Sequence, residues 1–514
     1  MDDSSYIKDL TEFFRKSLQN SDRVLEYFSY SKRKMKEFFD RTYIFNNGMI
    51  FINDKYALLA CRLMTPKDRS LIHADMPIMW GSVYVPKDRR YSFSGWKTDY
   101  PNSAVFLCEI TTHSPYLKFK LISLRLLTPN MIKGKEIFFA IEDIRLYQRK
   151  ENYYLYYIGV HEPCGTDGLK GPGTKCVYMS EIPILLNSMK EYDGSPIYDF
   201  NFDIPNHEIL CRNIVNETKE EGNSKKFFFW KNWSPWTYKN EDYLTDLYPD
   251  CVIYERNTDD QDCQLKNIDK NILKHFKQLQ KYYTVMLSSG DTFKLFGYSA
   301  TTPSIPVPND FADEFLDGHR NLYLGIAHIR SQMGKFLTQQ PDCAAERREM
   351  FEKIIEALET EKFYSSYLNF IKFYIKRRKK DKLLTHPDFY LMMLYFFNPK
   401  TGSIKYTSTA FLPVPVNPEN PSDVYMRTPL VFPCGSVINN DSILISYGEG
   451  DSRARLMKLG RNVIKSMIIK YDSNYIKNFR FENILIPATN FVEKRTLTEI
   501  ANNMFHPLFE DDKY

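Results

Sequence analysis

Between Glu136 and Gly159 two β-rich runs flank one polar turn. Ile137-Phe138-Phe139-Ala140 leads into Glu142-Asp143-Ile144-Arg145, and the turn from Gln148 to Asn152 is followed by Tyr153-Tyr154-Leu155-Tyr156-Tyr157-Ile158. The pattern predicts a hairpin. Three charged side chains within four positions beside an apolar strand are costly to bury unless they reach solvent or one another. They are therefore expected at a strand end facing a cleft, although an Asp-Arg pair closing a turn would read the same way in isolation.

Units of this design recur. Tyr43 to Met64 precedes the hairpin, with Asn46-Asn47-Gly48 and Asn53-Asp54-Lys55 read as turns. Phe227 to Tyr254, Asn321 to Arg330 and Val431 to Leu459 follow it, each a polar or glycine-containing turn leading to an apolar or aromatic strand. Repetition at irregular intervals predicts an all-β fold, a five-bladed β-propeller with insertions in its blades. Such a fold gathers strand ends from every blade around one axis, so charged residues far apart in sequence can meet.

The expected organisation is a helical lead-in over residues 1–41, a propeller over 42–490 and a tail over 491–514. The lead-in rests on Tyr6, Leu10, Phe13, Phe14, Leu18, Val24, Tyr27 and Phe28 at helical spacing. A helical insertion is expected over about 340–385, where Met350, Phe351, Ile354, Ile355 and Leu358 repeat with helical period. It ends in Lys376-Arg377-Arg378-Lys379-Lys380-Asp381-Lys382, a run read as a solvated helix end.

Charge and cysteine usage narrow the class. With 69 Lys plus Arg against 64 Asp plus Glu, the net charge is +5 over 514 residues. That balance does not call for nucleic acid as a partner. The nine cysteines show no Cys-x-x-Cys pair, and their odd number does not complete a disulfide framework. The acidic start Met1-Asp2-Asp3-Ser4-Ser5 is unlike a signal peptide, and no apolar run reaches the roughly 18 residues of a membrane span. The expected location is the cytoplasm. Neither a metal-ligand spacing, a Walker loop nor a dinucleotide fingerprint is present, so no cofactor is expected.

Several residues stand out chemically. Trp230-Lys231-Asn232-Trp233-Ser234-Pro235-Trp236 combines a cation and an amide with three indoles, which fits either a sugar site or a core. In Leu322 to Arg330, His328 and Arg330 lie two apart and share a strand face. Ile443 to Asp451 is an apolar strand ending in Tyr447-Gly448-Glu449-Gly450-Asp451.

Taken in order, these motifs resemble the five-bladed mannoside phosphorylases of glycoside hydrolase family 130 and the related β-1,2-mannosyltransferases. Glu142-Asp143-Ile144-Arg145 is similar to that family's Glu-Asp-Pro-Arg signature, and Lys231-Asn232-Trp233 to its Glu-Lys-Asn-Trp segment. Tyr447 to Asp451 resembles its Tyr-Gly-x-x-Asp segment. Leu322 to His328 is similar to the strand delivering a phosphate-binding histidine, and Leu59-Ala60-Cys61-Arg62 to one ending in an anion-binding arginine. This chain has Ile144 in place of the proline and Trp230 in place of the glutamate. Thr301-Thr302-Pro303 stands where the family has Gly-Gly-Thr-Pro.

The resemblance implies inverting transfer of a mannosyl residue, by phosphorolysis of β-mannosides or by the reverse transferase reaction. Asp143 would be the catalytic acid, and Glu142, Asn232, Trp233, Tyr447 and Asp451 would bind substrate. Arg62, Arg145, Lys231 and His328 would hold phosphate or a donor phosphate. Inorganic phosphate, or a sugar-phosphate or nucleotide-sugar donor, would be the co-substrate, with an oligosaccharide or sugar phosphate as partner. The implied reading allows an oligomer. A propeller that binds glycans or proteins without catalysis remains the alternative.

Overall fold

The computed structural model describes residues 4–28, 31–40, 42–64, 103–113, 116–127, 140–150, 152–161, 176–192, 195–201, 208–212, 232–247, 252–255, 284–286, 292–294, 296–331, 356, 390–424, 430–439, 441–450 and 453–489. The expected insertion, Glu356 apart, and the expected tail lie outside these residues, as do Lys231 and Asp451. Of Glu142 only the backbone is described.

Strands dominate, joined by a few short helices. The first sheet is an antiparallel meander of Tyr43–Phe51, Tyr56–Met64, Ser103–His113 and Tyr116–Leu127. The second is built on Ala140–Arg149, Asn152–His161 and Cys176–Tyr192, and adds Glu208–Arg212 and Ser195–Asn201. A third contains Trp233–Tyr238, Glu241–Asp246 and Val252–Glu255. The largest holds 13 strands among the described residues, including Tyr323–Ser331, Tyr390–Phe397, Val431–Asn439, Ser442–Glu449 and Arg453–Leu459.

The sheets stack because their strands are apolar on both faces, and strand period sorts the residues between two cores. In the first sheet Leu58, Ala60, Val105 and Leu107 pack against Ile144, Leu146, Leu155 and Tyr157 of the second. The alternating residues Leu59, Cys61, Ala104, Phe106 and Cys108 pack the other way. They meet Leu444, Ala454 and Leu456 of the largest sheet together with Leu10, Phe14, Leu18 and Phe39 of the N-terminal helices. Such two-sided burial fixes register, since a one-residue slip would exchange the two cores.

Two expectations are corrected. The stretch over residues 1–41 is not helical throughout, for it contains the strand Tyr6–Asp9, and helices occupy Thr11–Gln19, Asp22–Phe28 and Lys32–Asp40. The strand pairs antiparallel with Arg453–Leu459 and parallel with Phe481–Thr489, joining early and late parts of the chain in one sheet. Tyr6 and Ile7, neighbours that point to opposite faces of a strand, are both buried, and the strand is paired on both edges.

Asn46-Asn47-Gly48 is likewise no turn. The strand Tyr43–Phe51 runs straight through it, and the pairing jumps from Phe45↔Arg62 to Gly48↔Ala60. Asn46 and Asn47 together oppose Cys61 alone, which makes a β-bulge with Asn46 at φ 47°. Asparagine is among the few residues other than glycine that adopt this left-handed conformation readily. The reversal occurs at Asn53 instead, whose side-chain oxygen accepts from the backbone N–H groups of Lys55 and Tyr56.

Candidate active site

A second bulge faces the first. In Ala140–Arg149 the pairing jumps from Glu142↔Ile158 to Arg145↔Tyr156, and Asp143 sits at φ 51°. The Glu142-Asp143-Ile144-Arg145 cluster thus lies within a strand, near its start, and the bulge re-aims its side chains. The two bulged strands touch: a Cβ added to Gly48 would lie 3.2 Å from the Ile144 carbonyl oxygen and 3.4 Å from Arg145 Cα. Asn46 is thereby set against Asp143.

Asp143 is 3 % exposed. Its Oδ1 accepts from Asn46 Nδ2 at 3.0 Å and from Arg62 Nη1 at 3.3 Å. Arg62 also lies over the Phe45 ring at 5.3 Å. Two N–H donors converging on one oxygen suit a carboxylate, which accepts and does not donate. Gly448 makes the arrangement possible, because a Cβ there would stand 1.9 Å from Asn46 Oδ1.

Arg145 is fully buried. Its Nη2 donates to Asn232 Oδ1 at 3.2 Å, and its guanidinium lies 5.8 Å from the Tyr156 ring centre and 5.7 Å from that of Phe432. Nε and Nη1 have no hydrogen-bond partner among the described residues. A buried cation left with two unfilled donors is destabilising, and an anion would relieve it.

Phe432 connects this arginine to His328. The imidazole packs 5.2 Å from the Phe432 ring and stacks on Tyr390 at 5.0 Å with 27° between planes. Arg330, on the same strand face, lies 5.6 Å from the same Tyr390 ring. The histidine strand is spliced to the Trp233 strand through Thr301-Thr302-Pro303-Ser304. Ser234 Oγ donates to the Thr302 carbonyl, Ser304 N to the Pro235 carbonyl, and Ile326 N to Thr302 Oγ1. All four spliced residues are buried.

The structure therefore brings Arg62, Asp143, Arg145 and Asn232 together, and reaches His328 across Phe432. Asn232 touches Arg145 in this structure. Trp233 is 4 % exposed and Tyr447 fully buried. Burial first, then the nearby Glu449 charge, pushes the Tyr447 phenol well above its ordinary value. Glu449 itself pairs with Arg455 at 2.9 Å, and Arg455 also pairs with Asp9 of the N-terminal strand at 2.6 Å.

Sequence reasoning missed Asn46, Phe432, Glu449 and Arg455.

Among solved structures, the chain is similar to mannoside phosphorylases and mannosyltransferases. A β-1,2-mannobiose phosphorylase from Listeria innocua, in complex with β-1,2-mannobiose, is 11 % identical. The match covers 82 % of this chain and 92 % of that one, with a TM-score of 0.35. A GDP-Man-dependent mannosyltransferase from Leishmania mexicana is 10 % identical over 82 % of this chain and 86 % of its own, with a TM-score of 0.34. A mannose phosphorylase from the same organism, in complex with phosphate ion, is 9 % identical over 84 % and 89 %, with a TM-score of 0.33. No family model and no curated protein matches the chain. Similarity at this level leaves the chemistry to be read from the residues themselves. Among the described residues no group of three or more His, Cys, Asp or Glu side chains could hold a metal ion, and no helix is long and apolar enough to cross a membrane.

Proposed function

We propose that the chain is an inverting glycosyl-transfer enzyme on a five-bladed propeller, moving a mannosyl residue between an acceptor hydroxyl and phosphate. Arg145 carries the reading. It is fully buried, two residues from Asp143, and two of its nitrogens have no partner among the described residues. An anion bound there would sit beside a carboxylate, as inverting displacement requires when phosphate is nucleophile or leaving group. Phosphate needs no carboxylate base to activate it, so one acid–base group suffices.

The contacts on Asp143 add a direction. As an acceptor of two N–H groups, Asp143 is suited to take the proton of an acceptor hydroxyl, the general-base role in transfer from a phosphorylated donor. In phosphorolysis the same carboxyl would donate that proton back, in the acid role the resemblance implies. The mannosyl assignment rests on the motif resemblance, and the stacked sheets support the propeller.

The test offers purified full-length protein mannose 1-phosphate, GDP-mannose and β-mannosides, with and without phosphate, and follows sugar transfer. Turnover is expected with a phosphorylated donor or with phosphate present, and Asp143→Asn should lower it by about two to four orders of magnitude while the fold persists. Absence of turnover with every donor, together with glycan binding, would move the assignment to a non-catalytic propeller.

A further inference from the structure

The two asparagines of the bulge in Tyr43–Phe51 are bound to different sheets. Asn46 Nδ2 donates to Asp143 Oδ1 at 3.0 Å in the second sheet, and Asn47 Nδ2 donates to the Arg455 carbonyl oxygen at 3.1 Å in the largest. Both residues are buried, Asn47 fully. Burial that complete leaves Asn47 no surface for a substrate, so any part it plays in the chemistry is played through a neighbour.

The acceptor of Asn47 is a fixed point. Arg455 is paired on both edges of its strand, with Asp9 and with Tyr447, and its guanidinium is held by the carboxylates of Asp9 and Glu449. An amide tied to that carbonyl cannot drift without leaving buried polar atoms unsatisfied. Asn46 is the residue that needs such support. Its φ of 47° lies in the left-handed region, which a residue other than glycine keeps only where its surroundings hold it. Gly448 bounds it closely on one side, and Asn47 anchors the next link of the chain.

We infer that Asn47 is a positioning residue for Asp143, acting through Asn46. Its bond to the largest sheet fixes the bulge, and the bulge aims the Asn46 amide at the carboxylate. This rests on the reading of Asp143 as the acid–base group and deepens it. Arg62, the second donor on Oδ1 at 3.3 Å, reaches it on a long side chain, whereas Asn46 reaches it on a short one from a constrained backbone. The charged groups described nearest Asp143 are Arg62 and, two residues along the strand, Arg145, and substituting Asn47 alters neither. Each N–H on Oδ1 favours the ionised carboxylate, so a loosened bulge makes Asp143 hold its proton more tightly.

The experiment is an NMR pH titration of the full chain, isotopically labelled at the aspartate carboxyl carbons, with Asp143 assigned as the signal lost in Asp143→Asn. Wild type is compared with Asn46→Gly, which tolerates the left-handed backbone, with Asn47→Ala and Asn47→Ser, and with Asn46→Gly combined with Asn47→Ala. Asn46→Gly should raise the proton affinity of Asp143 by about ten- to a hundredfold, the scale of one hydrogen bond to a charged group. Asn47→Ala should raise it in the same direction and by no more, and the combined variant should titrate like Asn46→Gly alone. Asn47→Ser, whose hydroxyl is too short to reach the Arg455 carbonyl, should match Asn47→Ala and carries the test if the alanine variant does not fold. Aspartates remote from the bulge should titrate as in wild type. An Asp143 midpoint unchanged by the Asn47 substitutions overturns the inference. So does a combined variant that moves beyond Asn46→Gly, which would bypass Asn46, or a shift shared by remote aspartates, which would make Asn47 a support of the fold alone. The titration requires no turnover, so its failure is distinct from a failure of the donor screen.

Discussion

Replacing Asp9 by asparagine tests whether the N-terminal strand is fastened by charge or merely by pairing. Arg455 is 1 % exposed and lies between two carboxylates, Asp9 at 2.6 Å and Glu449 at 2.9 Å. Removing one partner of a buried pair ordinarily costs about 3–5 kcal/mol because it leaves an uncompensated charge. Glu449 remains here, so the expected loss for Asp9→Asn lies at the lower end, about 3 kcal/mol. The asparagine oxygen can still accept from Thr11 N, a contact Asp9 Oδ1 makes at 2.8 Å. Asp9→Ala loses that bond too and should fall about 1 kcal/mol further.

The pH dependence follows from the same contacts. Burial alone would raise the Asp9 carboxyl, but the charges of Arg455 and Arg453 and the hydrogen bonds from Thr11 bring it below its ordinary value of 3.8. A carboxyl depressed in the folded state contributes stability that is present above the unfolded value and lost as pH falls through the folded one. Urea denaturation of wild type and Asp9→Asn should therefore show the full gap at pH 7 and a narrowing gap once pH drops below 3.8. A difference under about 0.5 kcal/mol at neutral pH, or a gap that does not narrow in acid, would refute the reasoning.

Gly448→Ala forces Asn46 away from Asp143, since the new Cβ would stand 1.9 Å from Asn46 Oδ1. It should cost about 1–3 kcal/mol in denaturation and lower turnover, and adding Asn46→Gly should recover only part of the stability, since the backbone nitrogen of residue 46 would still stand 2.8 Å from the new Cβ, and none of the turnover. Arg145→Met removes a buried cation with two donors unfilled among the described residues. In phosphate-free buffer it should melt no lower than wild type, while the rise in melting temperature that phosphate gives the wild type should vanish.

Much of the site was legible because it lies on local patterns. The two strands flanking the Gln148 to Asn152 turn pair as expected, Gln148 opposite Tyr153, for hairpin signals are carried within a dozen residues. His328 and Arg330 share the Tyr390 ring, as strand period requires. The misreadings have a common cause. Asn46-Asn47-Gly48 has the composition of a turn, and only the neighbouring Glu142 to Arg145 bulge and the absent side chain of Gly448 turn it into a site element. Tyr6–Asp9 is four residues long, and the partners that make it a strand lie at the opposite end of the described chain. Phe432 gives no local sign that it sits between Arg145 and His328, because that contact joins three separate strands.

The pairing of Tyr6–Asp9 with Arg453–Leu459 and Phe481–Thr489 also sets an order of events during biosynthesis. Roughly 450 residues separate the partners, so at about 5–20 residues per second the ribosome needs on the order of half a minute to a minute and a half to supply them. Through that interval neither of the partners that Tyr6–Asp9 has among the described residues exists, and Ile7 and the Asp9 carboxylate wait in water or on a chaperone. A nascent chain stalled before Arg453 would display an unpaired, partly apolar strand of the kind that recruits other strands. Release of the late segment supplies both partners, so closure of this sheet follows synthesis of the strands from Arg453 to Thr489.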